Sequence, residues 1–339
     1  MGLPLEGIRV ADFSQLYAGP MASMLLADQG AQVVKVEPPD GDSSRAIYPI
    51  NGTADLSPTF IALNRNKKSI VIDISSPSGM EVVHRLANWV DVAIFNPSGG
   101  GNNQPGIRYE DLASINPALI YVSITGYGRI GPNIDYSAHE TDIQRKSGAL
   151  INGRLPDGTL IPSRTPYSHV SSGVLNAYAI MVALSERDST GKGQMIETNF
   201  LHTSIVLQSV QLIKYQQYGL DQLAPPFPGT VNCFPCSDGK YIQMNVSAHH
   251  WRRYCYAMDL KHMAEDPFDT PPKRTERREI IYETFAAQFI NRSSAEWEAV
   301  FNEATVPATV VQDSVQGVLD DPQVVANNMF IEFQQPGLG

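Results

Sequence analysis

Cysteine is nearly missing from this 339-residue chain: there are three, Cys233, Cys236 and Cys255. So low and odd a number excludes a disulfide framework and suits a reducing compartment. The pair Cys233 and Cys236 forms CFPC with no second pair and no helix signal after it, so it reads as packing and turn residues. Long apolar runs are also lacking. No window approaches the roughly 18 uninterrupted apolar residues of a membrane span. The opening MGLPLEGIRVADFS has no basic stretch ahead of an apolar one, so no signal peptide is visible and a cytoplasmic protein is expected. Positive charge is in deficit, with 25 Lys and Arg against 35 Asp and Glu, a formal net charge of −10. That balance argues against nucleic acid and anionic membranes as partners. Any anionic ligand has to be held by a local basic pocket.

Several signatures are absent as well. There is no GxGxxG, no GxxxxGK[ST], no GxSxG and no HExxH, so no dinucleotide fingerprint, P-loop, serine elbow or metal site is predicted.

What remains is an ordinary globular composition, 42% apolar, in a chain long enough for two domains. GIRVADFS (7–14) reads as a strand. A helix follows with Pro20 in its first turn and Gly30 at its stop, and AQVVKVEPP (31–39) is a second strand. KSIVIDIS (68–75), VDVAIFN (90–96) and ALIYVSITG (118–126) continue the series, with GMEVVHRLANW (79–89) as a helix. Alternating strands and helices predict a doubly wound, Rossmann-like parallel sheet, with ligands beyond the strand ends at Phe13, Val36, Phe95 and Ile124. Segments 169–188 and 193–217 read as long helices, PPFPG (225–229) as a boundary, and the remainder as a smaller α+β domain. The expected division is 1–224, 225–325 and a final segment 326–339.

Four clusters carry possible chemistry. Lys35, Arg45, Arg65, Lys67 and Lys68 gather near predicted strand ends. They read as a phosphate-binding set or as solvated surface. TGYGRIGP (125–132) is a place for close backbone approach or a plain tight turn. In SAHETD (137–142), His139 and Glu140 are a base with its partner acid, or a helix cap. His169, among Ser168, Ser171 and Ser172 at a helix mouth, is a cap, a buried spectator or a catalytic base.

Taken in order, PLEGIRVADFSQLYAGPMASMLLADQGAQVVKVEPP (4–39), GDSSR (41–45), NRNKKSIVIDIS (64–75), SITGYGRIGP (123–132), RKSGAL, ERDSTGKGQ, EWEAVF, VPATVVQ and DDPQV resemble the family III CoA-transferases. That family includes the α-methylacyl-CoA racemases. The resemblance covers nearly the whole chain. It implies a large α/β domain with a small one, an interlocked homodimer, no tightly bound cofactor, and an acyl-CoA with a carboxylic acid as substrates. It places the nucleotide end of CoA near Lys35, Glu37, Arg45 and the run Asn64, Arg65, Lys67, Lys68. The pantetheine arm would run toward Gly126, Tyr127 and Gly128 and the interdomain cleft.

The departures from the family are as informative. In the transferases an aspartate attacks the thioester and later carries CoA; here His169 occupies that seat. Ala138, His139 and Glu140 stand where the transferases have Gly, an aromatic residue and Asp, and the racemases Gly, His and Asp. Ser98 stands where the family often has an arginine, and the family's final returning segment is absent after FQQPGLG, as in a truncated member. The chain is expected to transfer CoA between carboxylic acids. The alternatives are racemase-like chemistry using His139 and His169, with Glu140 in support, and a non-catalytic CoA-binding homologue.

Overall fold

The computed structural model describes residues 2–50, 56–97, 104–149, 162–209, 212, 231–247 and 249–334. The chain divides into two compact units, Met1–Tyr215 and Gln216–Gly339. The boundary expected at 224/225 and the Ser98 position both lie outside the described residues.

The first unit begins with β1 (Arg9–Asp12), α1 (Ala18–Asp28), β2 (Gln32–Glu37), α2 (Pro58–Asn64), β3 (Lys67–Val71), α3 (Pro77–Trp89) and β4 (Val92–Phe95). It continues with α4 (Tyr109–Ile115), β5 (Ile120–Thr125), α5 (Glu140–Lys146), α6 (Tyr167–Thr190), β6 (Gln194–Asn199) and α7 (Phe200–Leu207). The strands form one sheet in the order β3-β2-β1-β4-β5-β6, with every neighbour parallel. The strand order reverses between β1 and β4. In sheets of this kind that switch point opens a crevice beyond the carboxyl ends.

Alternation along each central strand explains why both faces are covered. Val10, Val92, Ile94, Ile120 and Val122 pack under α1 and α6. Ala11, Ala93, Phe95 and Tyr121 pack under α3 and α4 on the other face. One stretch departs from the sequence expectation. Residues 193–217 read as one helix, but Gln194–Asn199 forms β6 along the edge of β5. Pairing a free sheet edge outweighs local helix propensity here. Asn199 then caps α7 by accepting from the His202 N–H.

In the second unit, β7 (Val231–Pro235), β8 (Tyr241–Asn245) and β9 (Ala308–Val310) make an antiparallel sheet. The helices are α8 (Trp251–Ala257), α9 (Pro271–Glu276), α10 (Arg278–Phe289), α11 (Ser294–Glu303), α12 (Val315–Leu319) and α13 (Pro322–Ala326). Asp238 and Gly239 turn β7 into β8, as the DG pair predicts. Ser293 and Glu296 form a capping box at the head of α11. Phe234, Trp251, Phe285, Phe289, Trp297 and Phe301 fill the core. This is the large α/β unit and smaller α+β unit that the strand pattern predicts. No helix among the described residues is long and apolar enough to cross a membrane.

The contact of α1 with α6 depends on small residues. A Cβ on Gly173 would stand 2.6 Å from Met21 Cβ and 2.8 Å from the Ala18 carbonyl oxygen. Neither can retreat without moving α1. Gly173→Val is expected to lower stability by about 1–3 kcal/mol despite its better helix propensity. A urea midpoint equal to the parent's would contradict this packing.

Candidate functional site

The crevice is built around the loop that follows β1. Its backbone is fixed from three sides. Asn96, just after β4, accepts from the Gln15 N–H at 2.8 Å and donates to the Gln15 carbonyl at 2.7 Å. Lys35 Nζ donates to the Ser14 carbonyl. Asp42 Oδ1 accepts from the Leu16 N–H at 3.3 Å. Held in this way, Leu16 sits at φ 68°, a left-handed conformation costly for a leucine.

Two pockets adjoin this loop and share Leu16, Asn96 and Pro97 as wall residues. One, of about 310 Å³, lies at the ends of β1, β2 and β4, between Phe13, Glu37, Ile72, Ile74 and Phe95. The other, of about 350 Å³, is bounded by Tyr17, Gly126, Asp135, Tyr136, His169 and Phe200.

His169 lies in the first turn of α6 and is buried to 8% exposure. The α6 N-terminus has no side-chain cap of its own. Glu140, at the start of α5, supplies one from outside. Its Oε1 accepts from the Ser168 N–H at 3.1 Å and from Gln144 Nε2 at 3.0 Å. Its Oε2 accepts from the His169 N–H at 3.2 Å and meets His169 Nδ1 at 2.5 Å. Burial by itself would raise the Glu140 pKa. The hydrogen bonds from His169, Gln144 and Ser168 overcome it and hold the group at about 2. Glu140 is therefore an ionised acceptor, so Nδ1 carries the proton and Nε2 is left for the pocket. The Phe200 ring lies 4.0 Å from the imidazole and Tyr17 6.0 Å, centroid to centroid.

The other sequence candidates fall elsewhere. His139 is exposed at the N-cap position just before α5, with Ser137 Oγ 3.5 Å from its Nε2, and it does not line the pocket of His169. Glu140 serves His169 and not His139. The basic cluster is matched internally. Lys35, 1% exposed, pairs with Asp42 at 2.6 Å. Lys67 pairs with Asp12 at 3.1 Å and also donates to Asn64 Oδ1. Burial pulls Lys67 down to about 8, with Asp12 partly offsetting it. Asp12 would rise on burial, but Lys35, Lys67, Ser14 and Ser23 bring it to about 2. Arg45 grips Glu37 with two hydrogen bonds, at 2.7 and 2.8 Å, and covers the Phe60 ring. Arg65 pairs with Asp28 at 2.5 Å, while Lys68 is exposed on β3. To hold phosphate, Lys35, Arg45 and Lys67 would have to leave these carboxylates.

In the glycine segment, Gly126 lines the pocket. A Cβ there would lie 2.2 Å from Ala138 Cβ, so only glycine lets the loop ending at Ala138 close down. Tyr127 packs against the core, and the Gly128 N–H donates to Thr125 Oγ1 at 3.1 Å. Asn96 and Leu16 follow strand ends that the topology marks. Asp135 and Phe200 carried no sequence signal. Among the described residues no group of three or more His, Cys, Asp or Glu is placed to hold a metal. Cys236 and Cys255 are buried, and burial pushes the Cys255 thiol up to about 12.

The strand order and the crevice at its switch point define a doubly wound α/β protein. The family model for CoA-transferase family III matches residues 5–339, and the chain belongs to that family. It is 30% identical to the mouse succinyl-CoA:glutarate CoA-transferase, over 99% of this chain and 78% of that one. It is also 30% identical to the succinate–glutarate CoA-transferase of Agrobacterium fabrum, over 98% of this chain and 85% of that one. A CAIB/BAIF family protein from Brucella suis superposes with a TM-score of 0.85 at 29% identity, covering 98% of this chain and 89% of that one. These likenesses support an enzyme of the transferase class.

The depressed pKa of Glu140 ties stability to pH. Its stabilisation is complete above its ordinary value of 4.5 and is lost as pH falls toward about 2. The linkage is worth at most about 3 kcal/mol. Glu140→Gln should be less stable at neutral pH and should lose much of the decline between these limits. Parallel acid-unfolding curves for the two proteins would contradict the assignment.

Proposed function

We propose that this enzyme moves coenzyme A from an acyl-CoA to a free carboxylic acid, with the thioester carbonyl at His169. The observation that carries this reading is the Glu140-held imidazole in a pocket adjoining a second one along the strand ends. A thioester threaded past Leu16 and Asn96 would place its acyl end in the His169 pocket and its pantetheine arm in the other. A volume of about 350 Å³ suits a short acid. The names of the relatives, which include succinate and glutarate, favour dicarboxylic acids.

The chemistry follows from the pair. Attack of a carboxylate on a thioester puts negative charge on the carbonyl oxygen. When Nε2 also carries a proton, the imidazole held by Glu140 through Nδ1–H can donate it to that oxygen. Glu140 itself is a poor nucleophile here, because its two oxygens already accept four hydrogen bonds. Racemisation at the α-carbon would use neutral Nε2 as base and needs a donor on the opposite face. His139, the residue expected there, is exposed and outside the pocket. Transfer is thus the better reading. Three cysteines with no disulfide among them suit a reducing compartment such as the cytoplasm.

We also infer self-association. Val174, Tyr178, Met181 and Val182 of α6 are 48, 63, 44 and 48% exposed and follow helical spacing. Such a stripe supports a homodimer. Sedimentation should find a dimer at micromolar concentration; a monomer there would remove this part.

Succinyl-CoA with glutarate tests the activity, the new thioester being separated and weighed. His169→Ala should cut turnover roughly 10²–10³-fold, the scale of losing one donor to a developing oxyanion. Exchange of the α-proton in deuterated water without transfer would favour racemase chemistry. CoA binding by calorimetry with neither reaction would leave only a binding homologue.

A further inference from the structure

The two pockets meet on one wall, made of Leu16, Asn96 and Pro97. Leu16 stands there at φ 68° with 37% of its surface exposed. A leucine does not choose that backbone by itself, and so little burial returns nothing for it. The surrounding contacts have to impose it. The closest of them come from Asn96. The β1–β4 ladder pairs Asp12 with Ile94, and its last backbone rung is the Phe13 N–H on the Ile94 carbonyl at 2.9 Å. One rung further the Asn96 side chain takes over. It accepts from the Gln15 N–H at 2.8 Å and donates to the Gln15 carbonyl at 2.7 Å. A primary amide carries an acceptor and a donor side by side, so it can pair with both backbone groups of one residue. The Gln15 side chain is held as well, its Oε1 accepting from the Ser43 N–H at 3.1 Å. Asp42 adds a longer contact, 3.3 Å, to the Leu16 N–H. Gln15 is thus pinned directly before the strained residue. Directly after it comes Tyr17, which lines the His169 pocket with its ring 6.0 Å from the imidazole.

We propose that Asn96 is a positioning residue for the reaction at His169: by clamping Gln15 it keeps Leu16 left-handed, and so sets the wall that Leu16 and Tyr17 present to the substrate. The choice of substrates for its test rests on the transfer reading above. Asn96 acts through the loop and takes no part in bond making. Released from the amide, Leu16 relaxes toward negative φ, and the wall shared by the two pockets shifts with it. Phe13, Ile72, Ile74 and Phe95 remain in place around the other pocket, so a ligand arm still binds there. The reacting carbonyl, however, no longer rests where the imidazole meets it. A displacement of about 1 Å at a reacting centre costs roughly 10²-fold in rate. The loss therefore falls on turnover more than on binding.

The test compares Asn96→Asp and Asn96→Ala with the parent, using succinyl-CoA and glutarate. The carboxylate of the first variant accepts from the Gln15 N–H but opposes the Gln15 carbonyl; once protonated it can donate again. Both variants should keep the parent's far-ultraviolet spectrum. Both should lose kcat roughly 10²-fold at neutral pH, with the KM for succinyl-CoA within about threefold of the parent's. As pH falls from about 8 to about 5, kcat of Asn96→Asp relative to the parent should climb, while that of Asn96→Ala stays level. An asparagine that served stability alone would give no such recovery. Two readouts do not depend on turnover. The Gln15 N–H should exchange with deuterium about tenfold faster in Asn96→Ala, with the interior of α1 unchanged. Carbethoxylation of His169 by diethyl pyrocarbonate, mapped by mass spectrometry, should also be faster there. Undiminished kcat, a loss without recovery at low pH, or unchanged exchange and carbethoxylation overturns this role for Asn96. A parent that transfers no CoA overturns the transfer reading alone, and the last two readouts then decide the clamp.

Discussion

One carboxylate holds the centre of this molecule together. Glu140 accepts from the first N–H groups of α6, which has no side-chain cap of its own, and from the imidazole on the same turn. A helix N-terminus has unpaired donors and a partial positive charge, so an ionised carboxylate is stabilised there. The same contact docks α5 on α6 and engages Nδ1 of a histidine that lines the pocket. Loss of Glu140 would therefore disturb helix capping, packing and the setting of the imidazole together.

The second constraint is the charge cluster beneath the β1 loop. Asp12, Lys35, Lys67 and Asp42 are almost completely buried and satisfy one another. A buried ion pair contributes little net stability once desolvation is counted, but removal of one member is severe. Its visible result is geometric. The cluster holds Ser14 and Leu16 in place, and Leu16 remains in a conformation a free loop would abandon. The shape of the crevice thus depends on charges that never touch its interior.

The cations illustrate why spacing is an incomplete guide. Lys35 and Lys67 sit together about Asp12, while Arg45 and Arg65 pair separately with Glu37 and Asp28. Their carboxylates, Asp42, Glu37, Asp28 and Asp12, come from other segments, up to 55 residues away in sequence. A phosphate-binding role and a structural one look alike until those partners are placed. The helix expected over 193–217 failed for a similar reason, since the free edge of β5 is not visible in a local window.

By itself the sequence determined the parallel sheet, the smaller unit and the family, and singled out His169 as a candidate, because alternation, turn residues and ordered motifs are local properties. Tertiary structure alone decided which acid serves which histidine. Glu140 stands beside His139 in the chain, yet it belongs to His169, 29 residues on. Helix docking sets that pairing, and the loop closing on Gly126 likewise brings Asp135 to the pocket. Both are contacts between segments distant along the chain, and no residue's type or immediate neighbours encode them.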